Sequence, residues 1–149
     1  MKVGIVGVGS MGTTHAVGWA ETPAEIVGFT AETQQEAGNI SKQYDTKVYP
    51  SLEEMLPDVD VVDVCSPTHL HYEMALKAAA AGKHIICEKP LARTLAEASN
   101  IGEAVIAFDL PFRDDYERAK SKSKYCSMST RSGMISRSLS DVRPTRIIR

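Results

Sequence analysis

The chain has 149 residues, of which 43% are apolar and 24% charged, and this is the composition of one globular domain. Its apolar runs are shorter than the roughly 20 residues that a membrane-spanning helix needs. Its three cysteines lack the spacing of a zinc site or a disulfide framework. These properties predict a cytoplasmic protein with reduced cysteines, no metal site and no membrane partner.

The net charge of −2 conceals a difference between two parts of the chain. Residues 1–120 carry 10 basic and 18 acidic side chains, whereas residues 121–149 carry 7 basic and 1 acidic and contain 8 serines. The second part has no sustained period of 2 or 3.6 residues that would indicate a strand or a helix. We predict a folded domain over residues 1–120 and an irregular basic tail over residues 121–149. The tail lacks the motifs and interleaved aromatic residues typical of nucleic-acid binding, so we do not predict that partner.

Residues 1–12 combine an apolar stretch with the pattern G-x-G-x-x-G. Residues 3–8 are apolar apart from their glycines, which is typical of a central parallel strand covered on both faces. Gly7 permits a tight turn, Gly9 lets the backbone approach a pyrophosphate, and Gly12 lets the following helix pack closely on the strand. The pattern predicts a dinucleotide-binding turn at the start of a helix. The alternative is an ordinary glycine-rich turn between a strand and a helix.

Strands and helices alternate along the rest of the domain. Further strands are predicted at residues 24–30, 47–49, 60–65 and 84–87, and helices at residues 13–21, 33–44, 51–56, 70–81 and 94–108. Three of these helices begin with a capping box, in which a hydroxyl residue is followed three positions later by glutamate: Thr33 and Glu36, Ser51 and Glu54, Thr94 and Glu97. The alternation predicts an α/β fold, a doubly wound parallel sheet with helices on both faces.

The carboxyl ends of parallel strands meet at one edge of such a sheet, and ligands bind there. Three segments reach this edge: the glycine turn, residues 65–71 (CSPTHLH) and residues 88–90 (EKP). A lysine at this edge can hydrogen-bond a substrate hydroxyl and assist the loss of its proton. Taken singly, residues 66–68 also fit a helix-start turn, and residues 88–89 also fit a solvated charge pair.

Three motifs at these separations resemble the glucose–fructose oxidoreductase, inositol dehydrogenase and MocA (Gfo/Idh/MocA) family: GVGSMG at residues 7–12, CSPTHLH at residues 65–71 and AAGKHIICEKPL at residues 80–91. The resemblance covers about residues 1–108. Members of this family are NAD(P)-dependent oxidoreductases, mostly acting on sugars, polyols and related compounds. The resemblance therefore implies a dinucleotide cofactor and hydride transfer to or from a hydroxyl carbon.

The resemblance also implies roles for individual residues. Lys89 is the expected catalytic residue, contacting both the substrate and the nicotinamide. Glu88 is expected to help hold the cofactor, and His71 is expected to pack near the nicotinamide end. The other predicted cofactor-binding residues are Gly7, Gly9, Ser10, Met11, Gly12, Glu32, Ser66, Pro67 and Thr68. For His15, outside these motifs, the helix position alone favours packing or a place on the helix surface, and Cys65 and Cys87 are expected to be small buried hydrophobic residues.

The end of the second strand bears on the choice between NAD and NADP. An acid there accepts a hydrogen bond from the ribose 2′-hydroxyl of NAD, whereas an arginine suits the 2′-phosphate of NADP. Ala31 stands at the usual acidic position, but Glu32 follows it, 20 residues after Gly12, and residues 1–92 contain no arginine. These residues favour NAD slightly and leave NADP open.

The chain departs from the family in its second part. The family continues into a substrate-binding domain, an open antiparallel sheet that supplies an aspartate and a histidine to work with the lysine. Here no histidine follows His84, residues 110–120 resemble only faintly the family segment that crosses to the second domain, and after residue 120 the resemblance stops. We therefore expect a truncated chain that lacks the second domain and does not turn over substrate alone. The alternative is a non-catalytic dinucleotide-binding module, such as a sensor or a partner subunit.

Overall fold

The computed structural model describes the backbone of residues 1–107 and the side chains of residues 1–104. The predicted domain boundary at residue 120 and the predicted tail lie outside these residues. Strands and helices alternate in the order β1 (Lys2–Val6), α1 (Ser10–Ala20), β2 (Glu25–Thr30), α2 (Gln34–Tyr44), β3 (Lys47–Val48), α3 (Leu52–Met55), β4 (Val61–Val64), α4 (Thr68–Ala80), β5 (His84–Cys87) and α5 (Leu95–Ala107). A 3₁₀ turn over Leu56–Asp58 follows α3. Within the described residues, every helix is too short or too polar to cross a membrane.

The five strands form one parallel sheet in the order β3-β2-β1-β4-β5. The glycine-containing strand β1 is therefore central, and Ile5 pairs with Phe29 of β2 on one side and with Asp63 of β4 on the other. The chain crosses from one half of the sheet to the other between β3 and β4. The strand order thus reverses between β1 and β4, which is the place where parallel α/β sheets bind ligands.

Each face of the sheet packs against its own helices. Helices α1 and α2 cover one face, where Trp19 and Ile40 join Ile5 and Phe29 in a buried apolar cluster. Helices α3 and α4 cover the opposite face, where a second cluster contains Leu52, Met55, Val62 and Ala78. The predicted doubly wound α/β fold is confirmed.

The hydroxyl half of each predicted capping box is present. Thr33 Oγ1 accepts a hydrogen bond from the Glu36 amide at 3.2 Å, and Ser51 Oγ accepts one from Glu54 at 3.3 Å. At α5 the bonding is reciprocal: the Glu97 amide donates to Thr94 Oγ1, and Glu97 Oε2 accepts from the Thr94 amide, each at 3.2 Å. These local signals fixed the starts of α2, α3 and α5.

Two predicted helix starts were wrong. Helix α1 begins at Ser10 rather than residue 13, because Gly9 is extended and the rest of the glycine pattern is already helical. Helix α4 begins at Thr68 rather than residue 70, because Pro67 takes the extended conformation of the preceding cap residue. In both places the predicted binding turn and the first helical turn are the same residues. The predicted left-handed position after α4 is confirmed, since Gly82 has φ +68°.

Candidate functional site

Backbone hydrogen bonds hold the predicted site segments side by side at the carboxyl edge of the sheet. The Gly7 amide donates to the Thr30 carbonyl at 2.8 Å and so ties the glycine turn to the end of β2. The Cys65 amide donates to the Val6 carbonyl at 2.8 Å, and the Glu88 amide to the Val64 carbonyl at 2.9 Å. The segments that follow β1, β2, β4 and β5 therefore meet along one edge.

The three glycines of the turn differ in what the fold requires of them. Gly7 has φ +90°, and an added Cβ would lie 2.7 Å from the Ser66 amide nitrogen. An added Cβ at Gly12 would overlap the carbonyl oxygen of Gly7. At Gly9, by contrast, φ is −66° and an added Cβ would meet no atom within 4 Å. The fold itself thus demands glycine at residues 7 and 12 and leaves open space above Gly9.

Helix α1 starts at this open space. Gly9 is its cap residue, no side chain caps the helix, and its first turn contains no acidic residue. Ser10 and Met11 are exposed. The amide groups of a first helical turn lack partners within the helix, and the helix dipole adds a positive potential there. The residues present therefore fit the phosphates of a dinucleotide.

Glu32 lies two residues beyond the end of β2, next to the glycine turn. Its side chain is exposed, and it belongs to none of the salt bridges formed within residues 1–104. The carboxylate is therefore accessible from outside the domain, and its hydrogen bond to a ribose hydroxyl stays a prediction.

His71 joins the segment after β4 to the segment after β5. It is buried, with Nε2 2.7 Å from the Ser66 carbonyl oxygen and Nδ1 2.9 Å from the Pro90 carbonyl oxygen. Pro67 is exposed and Thr68 half-buried at the edge, beside the largely buried Ser66. Both ring nitrogens of His71 thus face backbone, and its direct contact with a cofactor stays a prediction.

Lys89 projects from the same edge immediately after β5. The residue is exposed, and its amine forms no salt bridge within the described part of the chain. Its backbone amide donates to Glu88 Oε2 at 3.2 Å. The lysine residue is thus accessible, while its backbone is tied to the preceding glutamate, and its contact with a cofactor or a substrate stays a prediction.

A network of polar side chains lies beneath this edge, and it was not predicted from the sequence. Asp63 is fully buried in β4, and it accepts hydrogen bonds from Trp19 Nε1 at 2.7 Å and from His15 Nδ1 at 2.9 Å. The other ring nitrogen, Nε2 of His15, lies 3.0 Å from Glu88 Oε1. His15 therefore bridges two carboxylates, beyond the packing role predicted for it. Glu88 is only 19% exposed and is not a solvated side chain.

Burial and the two carboxylates together set the protonation of the neighbouring side chains. Burial alone lowers the pKa of His15, but the hydrogen bond and charge of Asp63, followed by the charge of Glu88, outweigh it and raise the pKa to about 8. Burial, followed by the charge of Asp63, raises the pKa of Cys65 above its ordinary range and that of Cys87 to about 12. Both cysteines are therefore neutral thiols at physiological pH.

The ligand-type atoms of His15, Asp63 and Cys65 lie within 4.8 Å of one another. Direct contacts account for this spacing, since His15 Nδ1 hydrogen-bonds Asp63 and lies 3.3 Å from Cys65 Sγ. We therefore interpret the group as a hydrogen-bonded network, and the predicted lack of a metal site stays a prediction.

The parallel sheet, its glycine turn and the open start of α1 define a dinucleotide-binding α/β domain. The family model of the Gfo/Idh/MocA oxidoreductases, described as an NAD-binding Rossmann fold, matches residues 1–109. The chain belongs to this family, and the resemblance inferred from the three motifs is confirmed.

Individual relatives agree with this assignment. A levoglucosan dehydrogenase from Pseudarthrobacter phenanthrenivorans is 38% identical over 118 residues, 70% of this chain and 30% of that protein. A myo-inositol 2-dehydrogenase from Thermotoga maritima is 33% identical over 107 residues, 69% of this chain and 32% of that protein. The structure of GenD2 from gentamicin A biosynthesis, in complex with NAD, superposes with a TM-score of 0.72 at 26% identity, covering 74% of this chain and 32% of that one. The chain thus spans about a third of the length of these relatives.

Proposed function

We propose that this chain binds NAD(P) at its glycine turn and forms the dinucleotide half of an oxidoreductase acting on a hydroxyl carbon of a sugar, polyol or related compound. The open space above Gly9, at the uncapped start of α1, carries the proposal. The relatives named for levoglucosan, myo-inositol and NAD support this choice of substrate class and cofactor. A cytoplasmic location and the absence of membrane and nucleic-acid partners stay predictions.

Each segment at the edge has a separate task in this proposal. The amides of Ser10, Met11 and Gly12 bind the pyrophosphate, and Glu32 accepts a hydrogen bond from the ribose. Ser66, Pro67 and Thr68 line the dinucleotide. The nicotinamide, when bound, accepts or supplies the hydride.

Lys89 is the proposed catalytic residue, since it is the exposed amine at the end of β5. Its ammonium group can hydrogen-bond the substrate oxygen, and its neutral form can take the hydroxyl proton as the carbon is oxidised. We assign Glu88 no contact with the substrate in this step. Its two carboxylate oxygens instead contact His15 and the Lys89 amide.

The 149-residue chain should bind NADH and yet oxidise no sugar or polyol measurably. The family places an aspartate and a histidine in the second domain, and positioning of the reacting groups alone can contribute about 7–11 kcal/mol to a rate enhancement. A panel of sugars and polyols with NAD⁺, followed by absorbance at the nicotinamide band, checks this. Turnover that disappears in Lys89→Ala would contradict it and would show that this chain completes the substrate site.

Replacing Glu32 with glutamine should reduce discrimination against NADPH. The charged carboxylate repels the 2′-phosphate and accepts from the 2′-hydroxyl, and hydrogen bonds to charged groups contribute about 1.5–3 kcal/mol. We expect the ratio of NADH to NADPH affinity to fall by about tenfold or more. Fluorescence titration with both cofactors measures the ratio. Glu36→Gln, at an exposed carboxylate in the first turn of α2, is the matched control, and an equal effect in both variants would contradict the assigned role.

A further inference from the structure

The polar network links the phosphate-binding helix to the backbone of the catalytic lysine. It runs from Asp63 in β4 through the ring of His15 on α1 to Glu88 at the end of β5. The second carboxylate oxygen of Glu88 then accepts from the Lys89 amide. One side chain of α1 thus connects the strand beneath the site with the turn that presents Lys89.

The charges in this network need a cation at its centre. Asp63 is fully buried and Glu88 largely so, and the ring of His15 lies between them with 18% of its side chain exposed. The ring faces Asp63 in β4, Cys65 immediately after β4 and Glu88 immediately after β5, while Cys87 lies close to the same two carboxylates. Both thiols are neutral, so the imidazolium supplies the positive charge within this group. Without it, two negative carboxylates share a poorly solvated space.

We propose that His15 is a positioning residue, an inference that rests on the proposed function. Its imidazolium holds Glu88, and through Glu88 the Lys89 backbone, in a fixed position relative to the phosphate-binding helix. Neutral imidazole has one N–H and can donate to only one of the two carboxylates. Because Asp63 is completely buried and held also by Trp19, that one donor stays with Asp63. The contact with Glu88 is then lost, and the Glu88–Lys89 turn is released.

The pH dependence follows from the raised pKa of His15. The ordinary pKa is 6.5 and the folded value is about 8. The link is therefore complete below about pH 6.5 and is lost as the pH rises through about 8. Lys89 should thus be positioned on the acidic side of this range and mobile on the alkaline side.

The test is a titration of the ligand-free chain between pH 5.5 and 9.5 by carbon-detected NMR. The His15 ring ¹³Cε1 shift and the Lys89 backbone ¹⁵N shift should change together with one midpoint near pH 8. Glu88→Gln should abolish the Lys89 response while the His15 ring still titrates at a lower pH. His84→Gln, which alters a half-buried histidine on β5, is the matched control and should leave the response unchanged.

A Lys89 shift that stays constant while His15 titrates would overturn the positioning role. A His15 midpoint at or below 6.5 would overturn the double ion pair itself. Both measurements are made without cofactor, so their outcome does not depend on whether the chain binds NAD(P).

If the chain binds NADH, the dissociation constant of NADH should rise at least threefold between pH 7 and 9 in the wild type and by less in Glu88→Gln. An equal rise in both proteins would also contradict the proposal.

Discussion

Replacing Gly9 with valine should abolish NADH binding and leave the fold intact. The backbone at Gly9 has φ −66°, which valine adopts, and an added Cβ meets no protein atom within 4 Å. The branched side chain instead fills the space that the pyrophosphate would occupy. Loss of two amide contacts to phosphate, each worth about 1.5–3 kcal/mol, corresponds to a weakening of about 100-fold or more. Nicotinamide fluorescence gives the affinity, and thermal unfolding gives the stability.

Two further variants separate binding from folding. Gly102→Val, on α5, also places its Cβ in open space and should leave NADH affinity unchanged. Gly12→Ala should instead lower stability, because its Cβ would overlap the Gly7 carbonyl oxygen. Equal NADH affinity in the wild type and Gly9→Val would remove the phosphate-binding role of the turn.

Replacing Asp63 with leucine should lower the free energy of unfolding by about 3 kcal/mol. The carboxylate is fully buried and accepts from both Trp19 Nε1 and His15 Nδ1. Leucine leaves the indole N–H without a partner and removes the main counter-charge of the imidazole, whose pKa should then fall. Asp63→Asn retains one acceptor oxygen and should cost less. Urea unfolding at pH 6 measures both differences.

The control for this series is Glu25→Gln, at an exposed carboxylate on the first residue of β2. Its effect should stay within about 0.5 kcal/mol, as is usual for a surface substitution. A loss below about 1 kcal/mol in Asp63→Leu would show that the network contributes little to folding. It would also weaken the case for a fixed His15 cation.

The parts of the site that could be predicted are those encoded by neighbours in the sequence. Gly7, Gly9 and Gly12 lie within six residues, and β5 was predicted with the bounds that the structure has, His84–Cys87. The order of strands and helices then placed Lys89 at the same edge as the glycine turn. Short-range patterns with a defined backbone geometry were therefore sufficient for the fold and for the position of the glycine turn, on which the proposed phosphate site rests.

The buried network could not be predicted in this way. His15 and Asp63 are 48 residues apart, and His15 and Glu88 are 73 apart, so no local pattern relates them. One signal was nevertheless present: Asp63 is a charged residue inside a strand that is otherwise valine, with all four residues buried. A buried carboxylate needs a donor. Because β4 pairs with β1, the helix that follows β1, α1, is the element in which to look for this donor.

The central claim is that the glycine turn of this chain binds NAD(P), and mapping NADH onto the amide resonances of the 149-residue chain tests it most directly. The amide chemical-shift changes should saturate at one NADH per chain. They should be centred on residues 7–12 and extend to Glu32 and residues 66–68. The amides of the opposite edge of the sheet, such as Glu25 and Val61 at the starts of β2 and β4, should stay unchanged. No saturable shift at residues 7–12, or shifts centred elsewhere, would contradict the account.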